Sequence, residues 1–478
     1  MGDHMRMRSV ALLGALMFSV IGCNTEKLNV PNYNSPSVDA LSKDPNGIQL
    51  LATGILVSER GALAGYNRDV GIFGREVYNY FTTDARNVSN YLVGLASPQR
   101  LDPGGFASGN WAGRYQNMKN ALSIVDAANA STLSASQKSA VEGWAKTWYA
   151  LDLLYLIATR DSIGVPTEIP TTPSSPAPFV ARAQVYQRII ATLDTAKAKL
   201  AGGGAAFPFV MHSGFAGFDT PASFLKFSRA IAAKANVIYG SLGCGNACYN
   251  AALAALNESF ISTTATMASL NSGPQHIFST ATGDGTNANS FAQQNFIYAH
   301  KQAVTVAQNQ ADGVTPDDRV TRKLVKLATP VFPPLNTNIA AEYRFDIWQT
   351  PSTPAAIIRN EELLLLRAEA NWALGNTSAA LADLNIVRTT SGKLAPLASL
   401  ASGAAGLDAI MYEKHQSLLF EGSRWVDMRR WGRLSQLPID TPGQFVAKVM
   451  PIPQAECDAR RPVGAPASVL PRGCEGNL

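Results

Sequence analysis

Charge and histidine are scarce in this chain of 478 residues. Asp, Glu, Lys and Arg make up 16% of it, and there are five His, at His4, His212, His276, His300 and His415. None of the five shows the His-Glu-x-x-His spacing of a helical zinc site, and a lone His is more often structural. There is no Gly-x-x-x-x-Gly-Lys loop to cradle phosphates and no Gly-x-Ser-x-Gly elbow to raise a nucleophile. Glu361 and Glu362 are adjacent, so on a helix they point apart and cannot work as a pair. No other two carboxylates suggest themselves as the facing pair of a glycosidase. Asp312, Asp317 and Asp318, and likewise Asp284 with Asn287 and Asn289, offer oxygens for a cation. Their spacing is not that of a calcium loop, so solvated turns are the plainer reading. The sequence thus predicts no catalytic residue, no metal ligand and no cofactor.

Basic runs are also missing. A net charge of +5 is too mild to imply nucleic acid. Long apolar runs are missing after residue 21, and none approaches the roughly 20 residues that span a bilayer. Aromatics, at 8%, are modest, which leaves room for a peptide ligand as well as a glycan.

What is present begins at the N-terminus. Residues 1–8 carry two Arg and one Asp, and Ser9 to Ile21 is uncharged and apolar. Val20-Ile21-Gly22-Cys23 then fits a lipobox, where a bacterial lipoprotein is lipidated on Cys and cut before it. The expectation is a signal peptide over 1–22 and a mature chain over 23–478 anchored by lipid on Cys23. More than one acyl chain is what firm anchoring requires. Gly2 to Met5 reads either as a cloning remnant or as a generous choice of start codon. Removing Arg6, Arg8 and Asp3 from the 40 basic and 35 acidic side chains leaves the mature net charge at +4. Four further cysteines form an even set in an exported chain. Cys244-Gly-Asn-Ala-Cys248 reads as a stapled turn, and Cys457 with Cys474 as a closure of the tail. Zinc is the rival for these thiols, although an oxidising compartment favours disulfides.

Helical spacing dominates the rest. Tyr115, Met118, Leu122 and Val125 make one stripe. A second helix is predicted over Ala140 to Ala158, with Ser134 or Ser136 as its cap. Pro170, Pro173, Pro176 and Pro178 make a stiff connector, and another amphipathic helix runs from Arg182 to Leu200. Two segments read as tetratricopeptide-like helix pairs: Ala222 to Leu256, broken at Leu242-Gly243, and Glu361 to Arg388, broken at Leu374-Gly375. Such pairs need stacked neighbours to cover their apolar faces. Between them, Ile261 to Thr353 is polar and without helical period, as a functional loop region would be.

The most specific stretch is Ile410 to Gly432, with Glu421-Gly422-Ser423-Arg424-Trp425-Val426-Asp427-Met428-Arg429-Arg430-Trp431-Gly432 at its centre. It resembles the closing signature of the SusD/RagB family of outer-membrane nutrient-binding lipoproteins. Lys414 stands where Arg is common and Ser417 where Glu is common, which predicts a weakened local ion-pair network. Read physically, Arg424 is placed to meet Asp427 or Glu421 three residues away, tying the helix to its surroundings. Ile357 to Ala370, including Arg359-Asn360-Glu361-Glu362, is a second match. The stretch from Ala140 to Leu200, with its Pro-rich crossing before Arg182, is a further match, and the lead-in around Leu28-Asn29-Val30-Pro31-Asn32-Tyr33-Asn34 resembles that of family members.

The resemblance implies a mostly α fold: one SusD-like domain over 23–478, with a helical scaffold over 110–256 and 357–433 and a loop-rich insert over about 261–353. It further implies a non-enzymatic surface lipoprotein that binds an oligosaccharide, or a peptide, and delivers it to a SusC-like, TonB-dependent outer-membrane transporter. A helical-repeat scaffold lipoprotein binding only proteins is the alternative. Sugar rings stack on aromatic faces while planar polar groups bind their hydroxyls. On that ground the candidate ligand residues are Tyr78, Tyr80, Asp84, Asn287, Tyr298 and Trp348. Asp84 also matches an Asp frequent in the family.

Overall fold

The computed structural model describes residues 44, 46–170, 176–334 and 339–475. The leader, the lipobox with Cys23 and the polar lead-in lie outside the described residues. No helix among those described is long and apolar enough to cross a membrane.

The longer helices carry the architecture, and we number these together with the signature helix. The first, α1 (Gly47–Phe73), is one the sequence reading did not name. Gly54, Gly61 and Gly65 weaken its propensity, since Gly costs roughly 1 kcal/mol against Ala in a helix interior. Burial of Ile48, Ala52, Ile55, Leu56, Leu63 and Val70 overrides that cost. An antiparallel hairpin follows, α2 (Ala112–Ala130) and α3 (Ala135–Arg160). Ser134 is the cap of α3: its Oγ accepts the Gln137 N–H, and the Gln137 side chain accepts the Ser134 N–H at 3.0 Å. Next come α4 (Arg182–Ala201) against α3, and the pair α5 (Pro221–Tyr239) and α6 (Asn246–Asn257). A second pair, α7 (Asn360–Ala373) and α8 (Thr377–Ser391), precedes α9 (Ala404–Ser417) and α10 (Arg424–Arg430). Disulfides join Cys244 to Cys248 at the α5–α6 turn and Cys457 to Cys474 in the tail.

Two expectations need correction here. In α2 the buried face is Arg114, Asn117, Met118, Ala121, Ile124 and Ala128, while Leu122 is 42% exposed. The apolar stripe was displaced because α2 turns polar groups inward. The Arg114 guanidinium donates to Glu59 on α1 at 2.7 Å and to Asp152 on α3 at 3.1 Å. The Asn117 amide donates to the same two carboxylates at 2.9 and 3.0 Å. Burial, and then the neighbouring Glu59, push the Asp152 carboxyl well above its usual range. The insert is also less irregular than its composition suggests. It builds most of a four-stranded antiparallel sheet in the order β1-β2-β4-β3 from β1 (Val77–Asn79), β2 (Ile297–Ala299), β3 (Leu324–Val331) and β4 (Ala341–Phe345).

The signature segment is a helix, a tight turn and a helix, but its ion pairs are not those expected from spacing. Asp427 meets Lys414 and Arg430, each at 2.8 Å, rather than Arg424. The Arg424 guanidinium donates to the Gly74 carbonyl, and Glu421 pairs with Arg359 at 2.9 Å. Lys414 also reaches Glu369 on α7 at 3.0 Å, and Ser417 donates to Glu361 at 2.6 Å. The two departures from the family pattern therefore take part in a dense network instead of thinning it. Asp317, Asp318 and Asp284 each already bind a guanidinium, of Arg319, Arg322 and Arg60 respectively.

Trp425 is fully buried, donates its ring N–H to the Ala447 carbonyl at 2.8 Å, and packs on Phe73 with ring centroids 4.9 Å apart. Replacing a buried Trp by Ala costs about 3–5 kcal/mol. Trp425→Ala should therefore lower the denaturant midpoint by a matching amount, while any folded fraction keeps ligand binding. Unchanged stability with lost binding would reverse this scaffold role.

Candidate functional site

The insert folds back over the scaffold and encloses a cavity of about 520 Å³, within the range of small-ligand sites. The insert wall comes from Asn271 and Gln275, from Arg322 and Lys323 ahead of β3, and from Asp346 to Gln349 after β4. The scaffold wall comes from Leu63 and Asn67 on α1, Tyr155 on α3, Lys234 on α5, Glu362 on α7 and Glu421 in the α9–α10 turn. One short antiparallel ladder, Gln275 with Ala356 and His276 with Ala355, closes the insert against the lead into α7.

The α9–α10 turn sets the floor. Phe420 adopts φ +62°, a conformation that side chains other than Gly rarely take. It is held there by Phe345 at 4.4 Å and Trp348 at 5.1 Å between ring centroids. Gly422 has φ +74°, and a Cβ there would lie 2.5 Å from the Tyr66 ring. Only Gly fits that approach.

The lining is polar but its charges are paired. Lys234 meets Glu362 at 2.8 Å, and Arg359 meets Glu421. Arg322 meets Asp318 at 2.7 Å, and Asp346 meets Arg344 at 2.8 Å. Lys323 donates to the carbonyls of Gln416 and Ser417, with Glu421 at 3.7 Å. Burial pushes Lys323 down to about 8, while the Glu421 charge works in the other direction. Burial would raise Glu361, but Arg359, Lys323 and the Ser417 hydroxyl outweigh it and hold the carboxyl at about 2. The Asn67 side-chain oxygen is buried with no hydrogen-bond partner. Tyr155, Lys234 and Glu362 also border an inner space of about 30 Å³ reaching Lys414, Ser423 and Asp427, room for one or two waters.

Of the six sequence-predicted ligand residues, Trp348 lines this cavity. The others lie elsewhere. Tyr78 and Tyr80 are buried on and beside β1, stacked on one another at 5.2 Å. The Tyr80 hydroxyl donates to the Ile339 carbonyl, and that of Tyr78 bonds Asp440. Tyr298 is buried on β2 against Tyr80 and Phe291. Asn287 is a structural staple: its side-chain amide donates to the Thr353 carbonyl and its N–H to Pro351, at 2.8 and 2.7 Å. Asp84 sits in a surface turn, where hydrogen bonds from the Arg86 guanidinium and N–H lower its pKa. None of these five has a free ring face or amide turned to the cavity. The residues sequence reasoning missed are Lys234, Lys323, Arg359, Glu362 and Glu421. The one available signal was the Arg359-Asn360-Glu361-Glu362 run, whose two acids point to different partners.

Residues 336–462 match the family model described as the SusD family. The described fold is close to solved structures of that kind. Surface glycan-binding protein A from Bacteroides uniformis aligns at TM-score 0.64 and 18% identity, covering 90% of this chain and all of its own. NanU of B. fragilis gives 0.64 at 14%, covering 93% and 100%. A SusD-like carbohydrate-binding protein from B. fragilis NCTC 9343 gives 0.65 at 14%, covering 88% and 99%. The chain has a SusD-like fold, and its residues 336–462 match the SusD family. No curated protein matches it in sequence. The SusD family signature thus frames the scaffold side of the cavity, through Arg359, Glu362 and Glu421.

Glu76 lies behind the floor, where its carboxylate accepts the Phe420 N–H. Burial raises it to about 8, against the opposing charge of Arg424. A folded pKa above the unfolded value means stability that is full below the usual carboxylate range and is lost as pH rises through about 8. Glu76→Gln should therefore melt higher than the wild type at pH 8 to 9 and show a flatter profile, read by thermal unfolding across pH 5 to 9. Parallel profiles would remove Glu76 as the source of that slope.

Proposed function

We propose that this SusD-like chain is a lipid-anchored, non-catalytic nutrient-binding protein of the outer-membrane surface. It captures an uncharged oligosaccharide in the insert–scaffold cavity and passes it to a TonB-dependent transporter of the SusC kind. The observation that carries the reading is the cavity lining: one indole, several amides and a set of charges already paired with each other. A neutral polyol exchanges hydrogen bonds with such a surface without breaking an ion pair, whereas a charged peptide would bring an uncompensated charge into it. The solved glycan-binding relatives support the ligand class, and the family supports the transporter partner and the membrane address.

Delivery requires release, so affinity in the micromolar range, roughly −8 kcal/mol, is sufficient. Calorimetry of the chain lacking Cys23 against glycans and peptides should find a neutral glycan that binds without being cleaved. Trp348→Ala should weaken it about tenfold, the loss of one aromatic stacking contact. Cleavage of any glycan, binding only of charged peptides, or indifference to Trp348 would each overturn the reading.

The anchor has its own test. Cys23→Ala should move the protein from the membrane fraction to the soluble one and abolish fatty-acid labelling. Equal labelling of the two forms would remove Cys23 as the lipid site.

A further inference from the structure

A second recess, separate from the insert–scaffold cavity, has a different electrical character. It is a trough of about 330 Å³ between the Leu95–Ala96/Gln99–Arg100 hairpin, Ser162 at the end of α3 and the segment Phe445 to Pro451. Arg100 and Lys448 both line it, and no carboxylate does. Among the described residues neither cation meets an acid: the Arg100 Nε is buried without a partner, and its Nη1 reaches only the Pro98 carbonyl at 3.4 Å. This contrasts with the main cavity, where every charge is paired. Asp161, next to Ser162, is turned away to Arg182 at 2.8 Å and Arg429 at 3.7 Å, and Asp102, two residues from Arg100, accepts the Gly104 N–H at 2.9 Å.

The backbone adds donors. Trp425 takes the Ala447 carbonyl at 2.8 Å and Arg429 takes that of Lys448 at 3.1 Å. In a trans peptide the N–H points opposite to the carbonyl. The N–H groups of Lys448 and Val449 are therefore aimed away from Trp425 and Arg429, and neither has an acceptor in the described structure. The Ser162 hydroxyl adds a further donor, with the half-buried Phe445 ring beside it, whereas the Gln99 amide is spent on the Gly443 carbonyl at 2.7 Å.

We infer that this trough is a binding site for an oxyanion, a sulfate, phosphate or carboxylate group, held by Arg100, Lys448 and the two outward N–H groups. Guanidinium and ammonium groups suit such anions, and charge-assisted hydrogen bonds are the strong ones. The Phe445 ring gives an adjoining face for the ring of an acidic sugar. The site does not depend on the main cavity being occupied.

The test uses thermal unfolding and calorimetry of the chain lacking Cys23, with sodium sulfate, sodium glucuronate, glucose and sodium chloride at matched ionic strength. Sulfate and glucuronate should each give a saturable rise in melting temperature that glucose and chloride do not. Glucuronate binding tighter than sulfate identifies an acidic saccharide as the source, and equal binding identifies a free anion. Lys448→Gln, on an exposed side chain, should weaken the apparent affinity by about tenfold or more. Arg100→Gln should do the same, while Trp348→Ala leaves it unchanged. No saturable response above chloride, or an undiminished response in Lys448→Gln, would overturn the proposal.

Discussion

The fold turns on a set of charges that have no water to fall back on. Glu369, Lys414, Asp427 and Arg430 are all buried, and they come from α7, α9 and α10. Each acid touches both cations, and each cation both acids. Buried charges of this kind cost more to desolvate than a single partner returns, so the set is stable only when complete. A shift of any one helix by a turn would strand a charge. The network therefore fixes the mutual register of the three helices, and with it the α9–α10 turn that forms the cavity floor. A second group continues it toward the ligand wall, through Arg319 with Asp317 and Glu413 and through Arg359 with Glu421. At the far side of the scaffold, Arg114 with Glu59 and Asp152 locks α1, α2 and α3 in the same manner.

In a chain with so few charges, spending many of them inside has an external effect. The main cavity is electrically balanced, each charge of its lining meeting a partner. The balanced cavity and the separate trough, with its two cations that meet no acid among the described residues, are thus recesses of different electrical character.

How far the sequence spoke depended on the range of the interaction. The spacing of Val185, Tyr186, Ile189 and Leu193 reports a helix because helical period is local, and α3 through α8 were placed within a few residues of their ends. Residues of α1 hide the same period behind glycines. In α2 the period was visible but its phase was not, because Arg114 and Asn117 lie on the buried side. The strands escaped notice because β1 pairs with β2 across more than two hundred residues. Tyr78 and Tyr80 have polar neighbours in sequence, yet their rings face inward, which neighbours in sequence do not disclose. The cavity residues were the least legible, since Lys234 and Glu362 acquire their meaning only from each other.

The two walls of the cavity are held by unlike means. The scaffold wall is tied into helices whose opening requires breaking the buried ion network, so it opens only with the whole molecule. Asn271 to Gln275 and Asp346 to Ala356 are held by a two-residue ladder, by single backbone bonds such as Asn360 N–H to Ser272, Ile357 N–H to Pro274 and Asp346 N–H to Lys323, by the Asn287 staple and by the Trp348–Phe420 contact. Segments held by scattered single bonds rather than by a continuous helix or sheet ladder lie lower on the local stability scale than the scaffold helices. The insert wall can therefore detach while the rest of the fold stays intact, and its backbone amides will exchange with solvent far faster than those of α3 or α7. Access to the cavity then needs no separate channel, because its outer wall can open on its own.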